Sequence, residues 1–145
     1  MLPEFDPAGD LPPGIYQATL AEIVACFGAA HGQRAWVTHQ LEHLYELAQR
    51  TGHLERFIIF GSYITDKPRP NDVDVILVMD DAFHLEECPS ESRGLFDHAV
   101  AQARFGASLF WIRPGLLIGE SMQDFVAHWQ IKRDGSQRGI VEVIA

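Results

Sequence analysis

The sequence predicts one α/β (α+β) domain over residues 1–145, with a small mixed β-sheet flanked by helices. Two observations support this prediction. Helix-period apolar patterns occupy the first third of the chain, and short runs of β-branched and aromatic residues follow, separated by a helix or by turn-rich loops. A chain of 145 residues with 47% hydrophobic composition is also long enough to bury a core of its own.

The first third of the chain predicts an arm and two helices. Residues 1–15 are rich in proline and glycine and predict an extended arm. The first helix begins at a capping box formed by Thr19 and Glu22 and ends at Gly28. A second, longer helix is predicted over 33–50.

The rest of the chain predicts a sheet and two further helices. Buried strands are predicted at "RFIIFGS", "DVDVILVM" and "ASLFWI", a helix within 86–104, and a short helix at "MQDFVAHW". The tail from 129 onward predicts a C-terminal β-hairpin, because Asp134-Gly135 is a strong turn signal and "GIVEVI" follows it.

Charge and cysteine content restrict the class of protein. A net charge of −9 argues against nucleic acid as a partner, since nucleic-acid-binding surfaces are usually basic. The two cysteines, Cys26 and Cys88, suggest no disulfide framework. The N-terminus has no signal-peptide pattern, and no apolar run approaches membrane-spanning length. We therefore expect a cytoplasmic protein with no membrane partner.

Two carboxylates within an apolar strand are the most unusual feature of the sequence. Because side chains alternate across a strand, Asp72 and Asp74 are predicted to point to the same face. Two ionised carboxylates repel each other there, and burying them unpaired is costly. A divalent cation removes that cost. Mg²⁺ (or Mn²⁺), held by one or two carboxylates and by the phosphate oxygens of a substrate, fits this pattern.

The end of the preceding strand offers groups that bind phosphate. Gly61 lets the backbone approach a phosphate closely, and the hydroxyl and amide of Ser62 can hydrogen-bond it. Lys67, on the connecting loop, adds positive charge. The sequence therefore predicts a nucleotide site in which these residues position a triphosphate and the two aspartates hold the metal. The structural alternative is a polar turn entering one strand and an ordinary turn ending the other.

These residues resemble the signature of the nucleotidyltransferase superfamily, which has the polymerase-β-like fold. The signature places an apolar residue, Gly and Gly or Ser before a spacer, then Asp, apolar, Asp or Glu, apolar. Here "FGS" and "DVDV" satisfy it with a spacer of nine residues. The chain is also similar, over nearly its full length, to a family of small bacterial nucleotidyltransferase-like proteins. "LPPGIYQATLAEIVACFG", the signature, and "DF" followed by "DGSQRGIVEV" carry this similarity.

The resemblance implies a minimal nucleotidyltransferase fold and an enzyme that transfers a nucleoside monophosphate from a nucleoside triphosphate to an acceptor hydroxyl. Asp72 and Asp74 would be its catalytic metal ligands. Enzymes of the superfamily usually carry a third carboxylate on the next strand, and Ser108 occupies that position here.

Two interpretations therefore stay open. The intact signature favours an enzyme. The missing carboxylate favours a catalytically silent interaction protein of the same fold, which would bind a nucleotide or act in a toxin–antitoxin or defence-type pair. The sequence names neither the acceptor nor which nucleotide is bound, and it leaves a protein partner or a homo-oligomer open.

The aromatic residues near the motif are assigned to packing. Tyr63, directly after Gly61-Ser62, is predicted to pack the loop rather than line a nucleotide site. The three tryptophans stand in apolar settings and are expected in the core rather than on base-stacking surfaces: Trp36, Trp111 and Trp129.

Overall fold

The structure, a computed structural model, describes residues 2–145, so Met1 of the predicted arm lies outside the described residues. The chain forms a mixed α+β fold with five strands and four α-helices over this range. The strands are β1 (Ile15–Thr19), β2 (Leu54–Phe60), β3 (Val73–Met79), β4 (Ala107–Ile112) and β5 (Ile140–Ile144). The helices are α1 (Leu20–Phe27), α2 (Gly32–Gln49), α3 (His98–Phe105) and α4 (Met122–His128).

The strands form one mixed sheet in the order β1-β5-β2-β3-β4. Strands β1 and β5 are parallel, as are β3 and β4, whereas β2 is antiparallel to both of its neighbours. The prediction of a small mixed sheet flanked by helices is therefore confirmed at this level. Within the described residues, no helix is long and apolar enough to cross a membrane.

The predicted C-terminal hairpin is wrong. Asp134-Gly135 does form a turn, but only one isolated bridge, between Ile131 and Gln137, joins its two sides. The final strand β5 pairs instead with β1 and β2, far away in the sequence. Its residues from Ile140 to Val143 are all buried, which is typical of an interior strand and not of a hairpin arm.

The extended arm is docked on the body of the protein. Leu11 is 1% exposed and belongs to the main core, and its carbonyl accepts a hydrogen bond from Gly139 N at 2.8 Å. The predicted capping box of α1 is confirmed, since Thr19 and Glu22 bond reciprocally. Strand β1 begins at the last residue assigned to the arm and was not predicted from the sequence.

The two faces of the sheet are covered unequally. Helices α1, α2 and α3 pack on one face and form the main hydrophobic core with alternate residues of every strand. The opposite face carries a smaller cluster of Ile58, Ile76, Val78 and Ile140, to which α4 contributes the buried Val126 and the partly buried Met122 and Phe125. This thin covering leaves part of the second face open beside the end of β2 and the beginnings of β3 and β4.

Candidate functional site

An open cleft of about 760 Å³ lies at this uncovered part of the sheet. Five predicted site positions line it: Gly61, Ser62, Lys67, Asp74 and Ser108. The strand register explains the convergence, because Asp74 of β3 pairs with the last residue of β2 on one side and with Ser108 of β4 on the other. The structure thus brings the two halves of the sequence motif together.

Asp72 precedes β3 and contacts Ser108 rather than lining the cleft itself. The Ser108 hydroxyl lies 3.0 Å from Asp72 Oδ2 and 3.2 Å from Gln102 Oε1. Both are acceptors, and the single hydroxyl proton can be donated to one of them at a time. The position expected for a third carboxylate therefore holds a hydroxyl that is already bonded to the first one.

Asp74 is the titratable group most strongly altered by the site. Burial, and then the neighbouring charge of Asp72, raises the pKa of Asp74 from 3.8 to about 6. A hydrogen bond from Ser108 and the charges of Arg138 and Arg133 oppose this rise without cancelling it. Desolvation and a like charge disfavour the ionised carboxylate, so a cation placed beside it would relieve an energetic cost.

Gly61 provides the space in which the Asp74 carboxylate lies. Its φ of +82° and ψ of −162° belong to a region that essentially only glycine adopts. A Cβ at this position would lie 1.9 Å from Asp74 Oδ2. The absence of a side chain at Gly61 is therefore required by the carboxylate, whereas close approach of a phosphate stays a prediction.

Three cations in the loop 130–138, here called the basic loop, line the same cleft as Asp74. Lys132, Arg133 and Arg138 all line it. The loop is closed by backbone hydrogen bonds from Lys132 N to Ser136 O at 2.8 Å and from Arg138 N to Gln130 O at 2.9 Å. These cations are not predicted as site residues from the sequence, because the pattern of this segment indicates a hairpin.

Asp10 of the N-terminal arm holds the basic loop in place. Its side chain is only 10% exposed, and its two oxygens contact Lys132 Nζ at 3.1 Å and Arg138 Nη1 at 3.4 Å. Two further hydrogen bonds join the arm to this region. Leu11 O accepts one from Gly139 N, and Gly14 N donates one to Gln130 Oε1 at 2.6 Å. The arm therefore helps to hold the basic loop beside the cleft.

Arg34 of α2 fixes the loop that follows Gly61. Its guanidinium donates to the carbonyls of Phe27 at 3.1 Å, Tyr63 at 2.6 Å and Thr65 at 3.1 Å, and also to that of Lys67. The loop that carries Lys67 is thus held by a side chain outside the motif.

Tyr63 packs inside this loop, as predicted. It is fully buried, and its hydroxyl shares a hydrogen bond of 2.6 Å with Thr38 Oγ1. The guanidinium carbon of Arg34 lies 5.3 Å from the centre of its ring. Tyr63 and Arg34 thus support the loop from within, and neither lines the cleft.

Replacing Arg34 with methionine should weaken both the fold and the site. The change keeps the aliphatic stem but removes the donors, so we expect the free energy of unfolding to fall by about 1–2 kcal/mol, since water can reach part of this network. Chemical denaturation measures this loss. The matched control is Arg50→Met, which removes exposed ion pairs with Glu46 and Glu91 and should therefore lower stability less than Arg34→Met does. Equal losses in the two variants would contradict the prediction.

Aromatic and aliphatic side chains form the remaining wall of the cleft. Phe60, Phe110, Trp129 and Ile131 line it beside the charged groups. The ring centre of Trp129 lies 4.8 Å from that of Phe60 and 5.2 Å from that of Phe110. Trp129 was assigned to packing alone, but the structure places it both against the smaller core cluster and at the cleft.

The donor set fits Mg²⁺ held partly by a substrate rather than a metal site made of protein ligands alone. In residues 2–145, no group of three or more His, Cys, Asp or Glu side chains is arranged to hold a metal ion. Mg²⁺ commonly binds through one or two carboxylates plus waters and substrate phosphates. Asp74, partly buried and raised in pKa, and its neighbour Asp72 supply such a pair.

Comparison with known proteins places the whole domain in one family. A family model described as "Family of unknown function (DUF6932)" matches residues 3–144, which extend from the arm to the end of β5. No curated protein and no solved structure matches the chain. The activity must therefore be argued from the geometry of the cleft.

Proposed function

The chain belongs to this family of unknown function, and we propose that it binds a nucleoside triphosphate together with Mg²⁺ (or Mn²⁺) in the cleft, as a minimal nucleotidyltransferase-type protein. One observation carries the proposal: Asp74, partly buried and under the influence of the Asp72 charge, lines the same cleft as a set of cations. In a chain of net charge −9, several cations line the same cleft as a carboxylate whose pKa is raised, and Asp10 pairs with two of them, Lys132 and Arg138. A polyphosphate bound to a metal ion matches this arrangement, because the metal ion can contact the carboxylate while the phosphates contact the cations.

Each side of the cleft has a distinct task in this proposal. Asp72 and Asp74 hold the metal ion, which supplies charge neutralisation to the phosphates when bound. Ser62, next to Gly61, and Lys67 bind the phosphates from the strand side. The basic loop binds them from the opposite side through side chains that Asp10 orients.

As an enzyme, the protein would transfer a nucleoside monophosphate to an acceptor hydroxyl. The acceptor oxygen forms a bond to the α-phosphorus, the bond to the bridging oxygen breaks, pyrophosphate leaves, and the hydroxyl proton passes to a carboxylate or to water. Positioning and electrostatic stabilisation carry such a reaction, and the fixed loops around the cleft supply both.

A second candidate is a protein that binds the nucleotide without turning it over. Ser108 favours it, because this hydroxyl is in register with Asp74 where a third carboxylate would complete the site. A hydroxyl bonded to Asp72 is neither a metal ligand of comparable strength nor a base. Loss of general-base assistance alone commonly lowers a rate by about 10²–10⁴. Such a protein would act through a nucleotide-dependent interaction with another macromolecule.

Asp74→Asn and Asp72→Asn test the site by calorimetric titration with each nucleoside triphosphate in Mg²⁺. Wild type should bind at least one of them, and each variant should bind it at least tenfold more weakly. The control is Asp124→Asn, a change at an exposed aspartate outside the cleft, which should leave affinity unchanged. Absence of binding by wild type, or equal binding by all four proteins, would remove the proposal.

A transfer assay then separates the two candidates. Protein is incubated with an α-labelled nucleoside triphosphate, Mg²⁺ and cell extract, and label is followed into larger or chemically altered species. Transfer by wild type that is lost in Asp74→Asn supports the enzyme. Binding that is lost in Asp74→Asn without transfer by wild type supports the binding protein.

A further inference from the structure

We propose that the aromatic wall of the cleft, formed by Phe60, Phe110 and Trp129, is the subsite that stacks the nucleobase of the bound nucleotide. This inference rests on the proposed function and extends it to the part of the ligand that the charged groups do not recognise. The wall and the charged groups line one continuous cleft. A ligand that fills it must therefore have an anionic end and a flat apolar end.

The rings form a supported surface rather than a loose edge. Centroid separations of 4.8 Å, 5.2 Å and 6.2 Å join the three rings into one cluster. The ring of His98, an exposed residue of α3, lies 5.4 Å from that of Phe110. Contacts of this kind orient aromatic rings and limit their rotation. A pre-organised ring surface binds a planar ligand with little loss of side-chain freedom.

Phe110 is the member of the wall most open to a ligand. It is 41% exposed, whereas Leu109 before it in β4 is buried and Trp111 after it is partly buried. Phe110 follows Ser108 by two residues on the same face of the strand, so its Cα lies roughly 7 Å from that of Ser108. The ring of Phe110 therefore lies close to the position of Asp74, which pairs with Ser108, and one nucleotide can contact both.

The chemistry of the wall indicates a ligand class rather than one base. Stacking on aromatic rings tolerates every base because each base has a π-face, and it contributes about 1–3 kcal/mol per base. The three rings contribute only one polar atom, the indole nitrogen of Trp129, so little hydrogen-bond readout is available from them. We expect purine nucleotides to bind more tightly than pyrimidine nucleotides, since two fused rings cover more of the wall.

The test compares Mg-ATP with Mg-tripolyphosphate, which has the phosphates but no base or ribose. Wild type should bind Mg-ATP at least tenfold more tightly. Phe110→Ala should weaken Mg-ATP binding by about tenfold, as expected from losing one stacking partner, and change Mg-tripolyphosphate binding by less than twofold. Phe110→Tyr keeps the ring and should bind as wild type does, whereas Phe110→Leu keeps the apolar volume alone and should bind ATP more weakly.

The matched control is Phe5→Ala. Phe5 is 40% exposed, close to the 41% of Phe110, but it lies in the arm against Phe27 and outside the cleft. This change should leave both affinities as they are. Thermal unfolding of each variant shows whether it is folded, and Phe110→Leu provides the comparison if the alanine variant is not.

The outcomes distinguish this inference from the proposed function. If both ligands bind equally and Asp74→Asn weakens both, the charged site stands and the aromatic subsite is refuted. The same holds if Phe110→Ala leaves the preference for Mg-ATP intact. If neither ligand binds to wild type, the proposed function and the inference both fail.

Discussion

Replacing Gly61 with alanine is expected to lower the free energy of unfolding by about 3–5 kcal/mol and to abolish binding in the cleft. The backbone of Gly61 has a φ of +82° and a ψ of −162°, which a residue with a side chain adopts only under strain. The new Cβ would also lie 1.9 Å from Asp74 Oδ2, so the carboxylate would have to move. Urea denaturation measures the first effect, and titration with Mg-ATP measures the second.

Two further variants separate the cost of backbone strain at Gly61 from the cost of the contact between the new Cβ and the Asp74 carboxylate. Gly52→Ala places a methyl group at a φ of +74° with no atom within 4 Å, so it should cost only about 1–2 kcal/mol. In a Gly61→Ala/Asp74→Ala double variant the carboxylate is gone and the closest remaining contact is Asp74 Cβ at 3.2 Å. The double change should therefore be less destabilising than the sum of the single changes, by about 1–3 kcal/mol. Strict additivity would show that Asp74 does not depend on the glycine.

The core of the candidate site could be predicted because its residues are close in the sequence. Gly61 ends β2 and Asp74 lies in β3, and these antiparallel strands are joined by one connection. Antiparallel pairing of two consecutive strands brings the end of the first beside the start of the second. Alternation within a strand then decides which side chains face the cleft. The local sequence pattern was therefore sufficient to predict that Gly61 and Asp74 lie close together.

The position of the basic loop beside the cleft could not be predicted, because it depends on contacts between distant segments. Lys132 and Asp10 are separated by 122 positions, and their contact follows from the insertion of β5 between β1 and β2. The turn signal at Asp134-Gly135 describes only the loop itself. Nothing local indicates which strand will pair with β5, so the arm, the basic loop and the cleft could not be connected from the sequence.

The tryptophans show a second reason why the sequence was insufficient. All three stand in apolar stretches, and apolar neighbours predict packing without saying what lies on the far side of the ring. Trp111 does pack against the main core, but Trp36 is 45% exposed and Trp129 also lines the cleft. A side chain that borders both the core and the cleft can be recognised only when it is known which parts of each sheet face are covered.

Asp74→Asn is expected to stabilise the metal-free protein at pH 8 by up to about 3 kcal/mol, while impairing the site. The folded-state pKa of Asp74 is raised by burial and by Asp72 from 3.8 to about 6, so the folded protein holds this proton more tightly than the unfolded chain does. By linkage, the contribution of Asp74 to stability is complete below about pH 4 and is lost as the pH rises through about 6. Asparagine carries no charge at any pH and avoids this loss.

Urea denaturation in EDTA at pH 4.5, 6 and 8 would measure the effect, with Asp124→Asn as the control at an exposed carboxylate. The difference between Asp74→Asn and wild type should be small at the lowest pH and grow toward the highest, and at pH 8 it should exceed the difference for the control. A variant that is less stable than wild type at pH 8 would contradict the assignment of Asp74 as an uncompensated carboxylate. Replacing the EDTA with excess Mg-ATP at pH 8 should narrow the gap, because this ligand should bind wild type more tightly than it binds Asp74→Asn. A site in which neutralising a carboxylate raises stability is one whose geometry serves a ligand, and at Asp74 the demands of stability and of ligand binding conflict.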